Sequence, residues 1–239
     1  MPPAEIDRLS FVIPAYAEER RLGPTLRRLL AWCEANLAGY EILVVDDGSP
    51  DGTAALVERD FAGCVRLLRH PRRHGKGAAV RTGVLAARET WLVYLDADLP
   101  VPPEELPRFL AAAARAPLVI GSKHVPGAAA RYPWPRRLAG RLGQGLIRLV
   151  GVGGFHDTQC GFKLLRTDVA QELFRRQRLD GFGFDFEVLW LARTRGHAVL
   201  ELAVPIEHRG DGSVSLRSYV GVLAELLQFL GNRVAGRYR

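Results

Sequence analysis

The sequence predicts an α/β fold with a mainly parallel central sheet covered by helices on both faces. Short apolar runs alternate with segments in which apolar residues recur at helical spacing, a pattern typical of such sheets. The predicted strands are 9–13, 42–45, 65–68, 91–95, 118–120 and 198–206. The predicted helices are 22–37, 76–89, 103–115, 136–150, 167–176 and 184–195. A final amphipathic stripe is formed by Leu216, Val220, Leu223, Leu227, Leu230 and Val234.

Polar and turn residues collect where three of these strands end. Pro14-Ala15-Tyr16 follows the first strand, Asp46-Asp47-Gly48-Ser49 follows the second, and Asp96-Ala97-Asp98 follows the strand 91–95. Each group alone is explained by turn chemistry, since Asp-Gly is a common turn. Ligands in open α/β sheets bind beyond the carboxyl ends of the strands, so the three groups together predict a functional site at that edge.

Asp96 and Asp98 are the most informative of these residues. Residues two apart on a strand point to the same face, and two carboxylates side by side repel each other. A divalent cation removes that repulsion, and magnesium is commonly held by one or two carboxylates plus substrate phosphates. The pair therefore predicts a metal–diphosphate site, with capping of the next helix as the alternative.

Three further segments carry candidate site residues. Gly75-Lys76-Gly77 opens a predicted helix and could hold phosphate through its amides and lysine, although it is not a P-loop; a solvated loop is the alternative. Asp157, within the polar cluster 157–163, is a candidate to orient a substrate or accept a proton, or a turn residue. Arg209 follows a predicted strand and is a candidate phosphate ligand, with a surface salt bridge as the alternative.

The composition favours an anionic partner. The 239 residues include 33 Lys and Arg against 26 Asp and Glu, a net charge of +7. Phosphates, nucleic acid or an acidic membrane surface fit that charge. Nucleic acid is disfavoured because no stacking aromatics are interleaved with the basic residues. The basic helix 136–150 and the final stripe are candidates to lie on a membrane surface, or to pack on the domain.

The cysteines and the apolar runs bear on localisation. The three cysteines are widely separated and lack zinc-site spacing, which fits a reducing setting. The N-terminal residues lack the pattern of a signal peptide, and no run approaches the ~20 apolar residues that span a bilayer. We therefore expect a cytoplasmic protein that meets a membrane, if at all, peripherally.

The motifs together resemble glycosyltransferase family 2 with a GT-A fold. Residues 11–19, 44–53, 75–83 and 96–98 carry this resemblance in the family's order. Residues 157–164 and 184–187 resemble the polyprenyl-phosphate hexosyltransferases, especially the dolichyl-phosphate β-glucosyltransferase branch. The resemblance extends over about residues 8 to 220 and implies one GT-A domain over 1–239, with a nucleotide-sugar-binding half (1–121) and an acceptor-side half with amphipathic helices (122–239).

The resemblance also implies roles for single residues. Asp96 and Asp98 would bind Mg²⁺ or Mn²⁺, Asp98 and Asp157 would be the catalytic residues, and Asp157 would lie near the acceptor. Cations would hold the acceptor phosphate, with Arg131, Lys163 and Arg209 as the candidates. The nucleotide sugar would be bound by Pro14, Ala15, Tyr16, Glu18, Asp46, Asp47, Gly48, Ser49, Lys76, Asp96 and Asp98.

The implied reaction is inverting, metal-dependent transfer of glucose from UDP-glucose to a polyprenyl phosphate. The segment Asp96-Ala97-Asp98-Leu99-Pro100 departs from the glucose branch and leans toward mannose synthases. Mannosyl transfer from GDP-mannose is therefore one alternative, and glycosyl transfer to a soluble hydroxyl acceptor is another. A sugar-phosphate nucleotidyltransferase is disfavoured, because Pro14-Ala15-Tyr16 stands where its glycine- and arginine-rich loop would be.

Overall fold

The computed structural model describes residues 8–125, 153–207 and 216–238, without the side chains of 216–220, 222 and 223. The strands are β1 (Arg8–Ala15), β2 (Gly39–Asp46), β3 (Arg66–Arg69), β4 (Trp91–Leu95), β5 (Leu118–Ser122), β6 (Phe162–Arg166) and β7 (Val199–Ala203). The helices are α1 (Glu19–Asn36), α2 (Thr53–Asp60), α3 (Lys76–Ala86), α4 (Leu106–Ala113), α5 (Thr167–Arg176), α6 (Phe184–Thr194) and α7 (Leu216–Val234), and a 3-10 turn, Pro103–Glu105, precedes α4.

The described strands form one sheet of seven in the order β3-β2-β1-β4-β6-β5-β7. All neighbouring pairs are parallel except those of β6, which runs antiparallel to both β4 and β5. The predicted α/β class with a mainly parallel sheet is confirmed. Because β6 inserts between β4 and β5, residues from the predicted acceptor-side half complete the same sheet as the first half.

Two elements were missed from the sequence. Strand β6 was overlooked because Lys163 and Arg166 interrupt its apolar pattern and it follows directly on a polar cluster. Helix α2 has only eight residues, too few to establish a helical period. The predicted helix 76–89 ends earlier, at Ala86, because Ala87 is already extended.

The core lies on both faces of the sheet, as alternation along the strands requires. Phe11 and Ile13 of β1 contribute to one cluster, and Val12 between them contributes to the other. Helices α1, α2 and α4 pack in the first cluster, whereas α3, α5, α6 and α7 pack in the second. The helices thus cover both faces of the sheet, and the candidate site lies at the edge where the carboxyl ends of the strands meet.

Helix α7 packs on a face different from the predicted stripe. Leu226 and Phe229 are buried, whereas the stripe residues Leu227 and Val234 are 65% and 92% exposed. The expectation that the stripe packs on the domain is therefore wrong for these two residues. The basic helix 136–150 lies outside the described residues. In the part of the chain that is described, every helix is too short or too polar to cross a membrane.

Candidate active site

The carboxyl ends of β1, β2 and β4 meet at one edge of the sheet. Ala15 lies opposite Asp46 in the β1–β2 register, and Asp96 directly follows the end of β4. The first residue of β6, Phe162, pairs with Leu95, so the turn before β6 lies at the same edge. The structure thus brings Tyr16, Asp46 and Asp96 to one edge, as predicted from the strand ends, and places the turn before β6 there as well.

Three carboxylates influence one another at this edge. Burial raises the pKa of Asp98, and the negative charge of Asp96 raises it further. Burial also raises the pKa of Glu18, against the effect of Arg21, and Asp98 and Asp96 add to the rise. The site therefore carries negative charge that an additional cation would stabilise.

The positive side chains nearby are already engaged with other carboxylates. Lys76 Nζ lies 2.6 Å from Asp96 Oδ1, and Arg21 Nε lies 2.7 Å from Glu18 Oε2. Burial opposes the charged form of Lys76, but Asp96 and Asp185 outweigh it and raise the pKa of this lysine. Lys76 is therefore held as a protonated ammonium beside Asp96. The charges of Lys76 and Arg21 also lower the pKa of Asp98, but they act on it from a greater distance.

Asp96 and Asp98 fit a divalent cation that is bound together with a substrate. Among residues 8–125, 153–207 and 216–238, no group of three or more acidic, histidine or cysteine side chains is arranged to hold a metal. Magnesium needs fewer protein ligands when phosphate oxygens and water complete its shell. Burial is the largest cause of the raised pKa of Asp98, and the charge of Asp96 adds to it, so the two carboxylates interact within one site.

Asp47 anchors a basic loop, residues 70–75, over the edge. Its carboxylate accepts hydrogen bonds from His70 Nδ1 at 2.7 Å, the His74 amide at 2.9 Å and the Gly75 amide at 2.7 Å. His70 Nε2 in turn lies 2.9 Å from Thr82 Oγ1 on α3. These bonds occupy the buried carboxylate of Asp47, so its contribution is to position the loop and the lysine that follows it.

The loop packs closely against the chain after β2 and against Tyr16. Gly48 has a φ of +68°, and a Cβ there would lie 2.5 Å from the carbonyl carbon of Arg72. The guanidinium carbon of Arg73 lies 4.2 Å from the centre of the Tyr16 ring. Tyr16 and Arg73 thus form one wall of the edge, and only glycine fits at Gly48.

The remaining predicted nucleotide-binding residues lie at the ends of β1 and β2 or directly after β2. Asp46 is buried and accepts a hydrogen bond from the Ser49 amide at 3.2 Å. The Ser49 hydroxyl accepts one from the Ala17 amide at 3.0 Å. Ala15 is also buried, and Pro14, Gly48 and Ser49 are partly exposed. The chain segments after β1 and β2 are therefore bonded to each other.

The start of α3 differs from the predicted phosphate cradle. The amide of Gly77 donates to the carbonyl of Gly181 at 3.2 Å, and that of Ala78 donates to the carbonyl of Asp180 at 3.1 Å. These two amides are consequently not free to bind phosphate, and this part of the prediction was wrong. Lys76 remains the candidate phosphate ligand of this segment, and that role stays a prediction.

A buried charge network, which the sequence did not reveal, lies close to Lys76 and Asp96. Lys163 Nζ is 2.5 Å from Asp185 Oδ1 and donates to the Cys160 carbonyl at 2.7 Å. The hydroxyl of Tyr94 also donates to Asp185. Lys163 is only 2% exposed, so contact with an acceptor phosphate would require this ion pair to break. Its predicted role stays a prediction.

The turn before β6 is held against Asp96. The Asp96 amide donates to the carbonyl of Gly161 at 3.2 Å, and a Cβ on Gly161 would lie 2.0 Å from Asp96 Oδ2. Asp157 is buried and accepts from the amides of Lys123 at 3.1 Å and Gln159 at 3.0 Å. Asp157 therefore fixes the backbone around the end of β5, and its catalytic role stays a prediction.

Arg131 and Arg209, the other two predicted phosphate ligands, lie outside the described residues. Asp185 and Tyr94 are the residues that the sequence reasoning missed. The signal was an aspartate between two phenylalanines in 184–186, within a segment otherwise suited to the core. A buried carboxylate requires a partner of opposite charge or a hydrogen-bond donor. Lys163, which is flanked by apolar residues upstream of Asp185, could have been identified as that partner.

Comparison with known proteins gives concordant results. Residues 10–174 match the model of the family described as glycosyl transferase family 2. Dolichyl-phosphate beta-glucosyltransferase ALG5C from Trichomonas vaginalis is 34% identical, over 95% of this chain and 71% of that protein. Polyprenol monophosphomannose synthase from Mycolicibacterium smegmatis is 34% identical, over 86% of this chain and 79% of that protein. An undecaprenyl-phosphate 4-deoxy-4-formamido-L-arabinose transferase from Sodalis glossinidius is 32% identical, over 95% and 69% respectively.

Solved structures show the same fold. Glucosyl-3-phosphoglycerate synthase from Mycobacterium tuberculosis, in complex with Mn²⁺, UDP and phosphoglyceric acid, has a TM-score of 0.68 and 19% identity, covering 95% of this chain and 78% of that chain. Mannosyl-3-phosphoglycerate synthase from Rubrobacter xylanophilus has a TM-score of 0.67 and 18% identity, covering 96% and 74%. The predicted GT-A fold is confirmed.

Proposed function

The chain belongs to glycosyltransferase family 2, and on that premise we propose that it transfers glucose from UDP-glucose to a polyprenyl phosphate, inverting the anomeric centre. The observation that carries the proposal is the placement of Lys76, Asp96 and Asp98 at one sheet edge. The names of three relatives give different sugars, and they contain dolichyl phosphate, undecaprenyl phosphate and polyprenol respectively, which supports a polyprenyl acceptor class.

The donor would bind across the edge with its nucleotide near Tyr16 and its diphosphate near Lys76. Asp96 and Asp98 would hold Mg²⁺ or Mn²⁺, which when bound supplies Lewis-acid stabilisation of the leaving diphosphate. The ammonium of Lys76 would offset the same developing charge. Asp96 Oδ1 lies 2.6 Å from Lys76 Nζ, and Asp96 would also hold the metal ion. This one carboxylate would therefore position the lysine and the metal ion beside the diphosphate.

The acceptor needs little help from a base. A phosphate monoester has a second pKa of about 6 and is largely ionised at neutral pH. Its oxygen would attack the anomeric carbon as the bond from that carbon to UDP breaks. Arg131, Arg209 and Lys163 are the proposed cations for this second anion, and Asp157 would orient the acceptor through the backbone it fixes.

A second donor is favoured by a specific feature. Leu99 and Pro100 follow the Asp96-Ala97-Asp98 motif as in the mannose-synthase pattern, and a mannose synthase is among the relatives. Mannosyl transfer from GDP-mannose is therefore the alternative to glucosyl transfer. For either donor, we propose that the enzyme works at a membrane surface, where its lipid acceptor resides.

One assay tests donor, acceptor and metal together. Radiolabelled UDP-glucose and GDP-mannose are incubated separately with polyprenyl phosphate and Mn²⁺, and the label is measured after organic extraction. We expect label in the organic phase with UDP-glucose and none in excess chelator. Label that stays aqueous for both donors would overturn the acceptor class, and full transfer in chelator would overturn the metal role.

Substitution of Asp98 gives the site-specific version of that test. We expect Asp98→Ala to lower transfer by about 10² to 10³-fold, the usual loss when one electrostatic group of a transition state is removed. The matched control is Asp168→Ala, because Asp168 is an exposed aspartate on α5 that pairs with Arg166. Equal activity of the two variants, both folded by circular dichroism, would contradict the role of Asp98.

A further inference from the structure

An aromatic ring is exposed beside the proposed phosphate site. Phe182 is 46% exposed, in the loop before α6, and its ring centre lies 5.8 Å from Lys76 Nζ. The same ammonium contacts Asp96 at 2.6 Å. A single exposed apolar side chain is ordinary on a protein surface, so its position beside the site is the informative feature.

The loop that carries Phe182 is held from the side of α7. The partly buried carboxylate of Glu225 accepts hydrogen bonds from the amides of Gly181 at 2.7 Å and Gly183 at 2.8 Å, one on each side of the ring. Burial raises the pKa of Glu225, while these two amides lower it. A carboxylate is thus placed in the protein to fix both neighbours of Phe182.

The loop is also held from the side of α3. The carbonyls of Asp180 and Gly181 accept the two amides at the start of α3, and Asp180 pairs with Arg81 at 2.8 Å. A Cβ on Gly75 would lie 2.4 Å from the Asp180 carbonyl oxygen. The two segments therefore pack backbone against backbone, and the exposure of the ring is not the result of a loose loop.

We propose that Phe182 binds the first isoprene units of the acceptor lipid, next to its phosphate. The ring has no polar atom with which to select a phosphate or a sugar hydroxyl. The proposed function places the donor diphosphate at Lys76, and the acceptor phosphate must approach the sugar joined to that diphosphate in order to react. The hydrocarbon chain joined to the acceptor phosphate is therefore an apolar group that comes to the same edge of the sheet as the ring.

This inference deepens the proposed function and rests on it. The ring also contacts Lys76 through its face, a cation–π arrangement that would equally help to orient the lysine. The two roles differ in which substrate they affect. Orientation of Lys76 acts on the nucleotide sugar, whereas contact with the isoprenoid acts only on an acceptor that has a hydrocarbon chain.

Kinetics of Phe182→Ala and Phe182→Leu distinguish these roles. We expect Phe182→Ala to raise KM for polyprenyl phosphate about three- to tenfold, the effect of leaving roughly half of a phenylalanine surface in water. KM for the nucleotide sugar should not change, and Phe182→Leu should restore most of the acceptor affinity. With ethyl phosphate as acceptor at high concentration, wild type and both variants should have equal rates.

Leu85→Ala is the matched control, because Leu85 is 40% exposed on α3 and lies outside the proposed site. It should leave both KM values unchanged. A rise in KM for the nucleotide sugar with Phe182→Ala, or an equal acceptor effect of Leu85→Ala, would overturn the inference. If the wild type labels no polyprenyl phosphate at all, the proposed function fails instead, so the two failures are distinguishable.

Discussion

Lys163→Met tests whether the buried charge network supports the fold. Methionine has about the length of lysine without the charge, and the change leaves Asp185 buried with the Tyr94 hydroxyl as its remaining side-chain donor. Removing one partner of a buried ion pair costs about 3–5 kcal/mol, because the other charge is left uncompensated. In a chain of this size each kcal/mol lowers Tm by about 2–4 °C, so a loss of roughly 6–20 °C is expected.

A double-mutant cycle gives the sharpest measurement. Urea unfolding is followed for Lys163→Met, Asp185→Asn and the double variant, in which neither residue of the pair carries a charge and the asparagine still accepts from Tyr94. The double variant should therefore recover much of the stability that Lys163→Met loses. The control pair is Arg166 and Asp168, which is exposed at 2.7 Å and should contribute less than about 1 kcal/mol.

The reasoning would be refuted by a small effect. If Lys163→Met loses no more stability than Arg166→Ala, or if the cycle gives no coupling between Lys163 and Asp185, the pair does not stabilise the fold. Lys163 also donates to the Cys160 carbonyl in the turn that packs on Asp96. A variant that keeps its stability but loses transfer would then assign Lys163 to the reaction rather than to the core.

Two further predictions follow from the same region. Gly161→Ala should lower kcat/KM about 10²-fold, since its Cβ would lie 2.0 Å from Asp96 Oδ2 and displace that carboxylate. Gly153→Ala, whose Cβ would have no atom of the described residues within 4 Å, should be neutral in the same transfer assay. Equal activities would contradict this. Glu225 has a pKa raised above its ordinary 4.5 by burial, so its stabilising contribution is full below 4.5 and is lost as pH rises through the raised value. Glu225→Gln should remove that slope from Tm measured against pH, and an unchanged profile would count against the burial effect.

The carboxyl edge could be predicted because its information is local. The run 91–95 was recognised as a strand with its observed bounds, and the acidic pair follows it directly. Because β1 is parallel to both β2 and β4, the carboxyl ends of these three strands lie at the same edge of the sheet. The alternation of short apolar runs with helices was sufficient to predict that these candidate residues lie at one edge of the sheet.

The contacts that hold the candidate site in place could not be predicted, because they join residues that are distant in sequence. Asp185 is separated from Lys163 by 22 positions and from Tyr94 by 91. Both contacts exist only because β6 runs antiparallel beside β4 and α6 packs over that face. The amides of Gly77 and Ala78 meet carbonyls of a loop roughly a hundred residues later. No spacing rule within a motif encodes these pairings.

Helix α7 shows how contacts between residues distant in sequence determine which face of a helix is buried. The helix carries apolar residues on more than one side, so hydrophobic spacing alone admits the stripe through Leu227 or the face through Phe229. Phe229 packs against Phe186 at 5.4 Å between ring centres, and Glu225 bonds two amides of the loop before α6. These contacts bury the face of α7 that carries Phe229 and leave Leu227 exposed. The rotation of α7 and the position of Phe182 beside the proposed phosphate site are therefore set by the same hydrogen bonds.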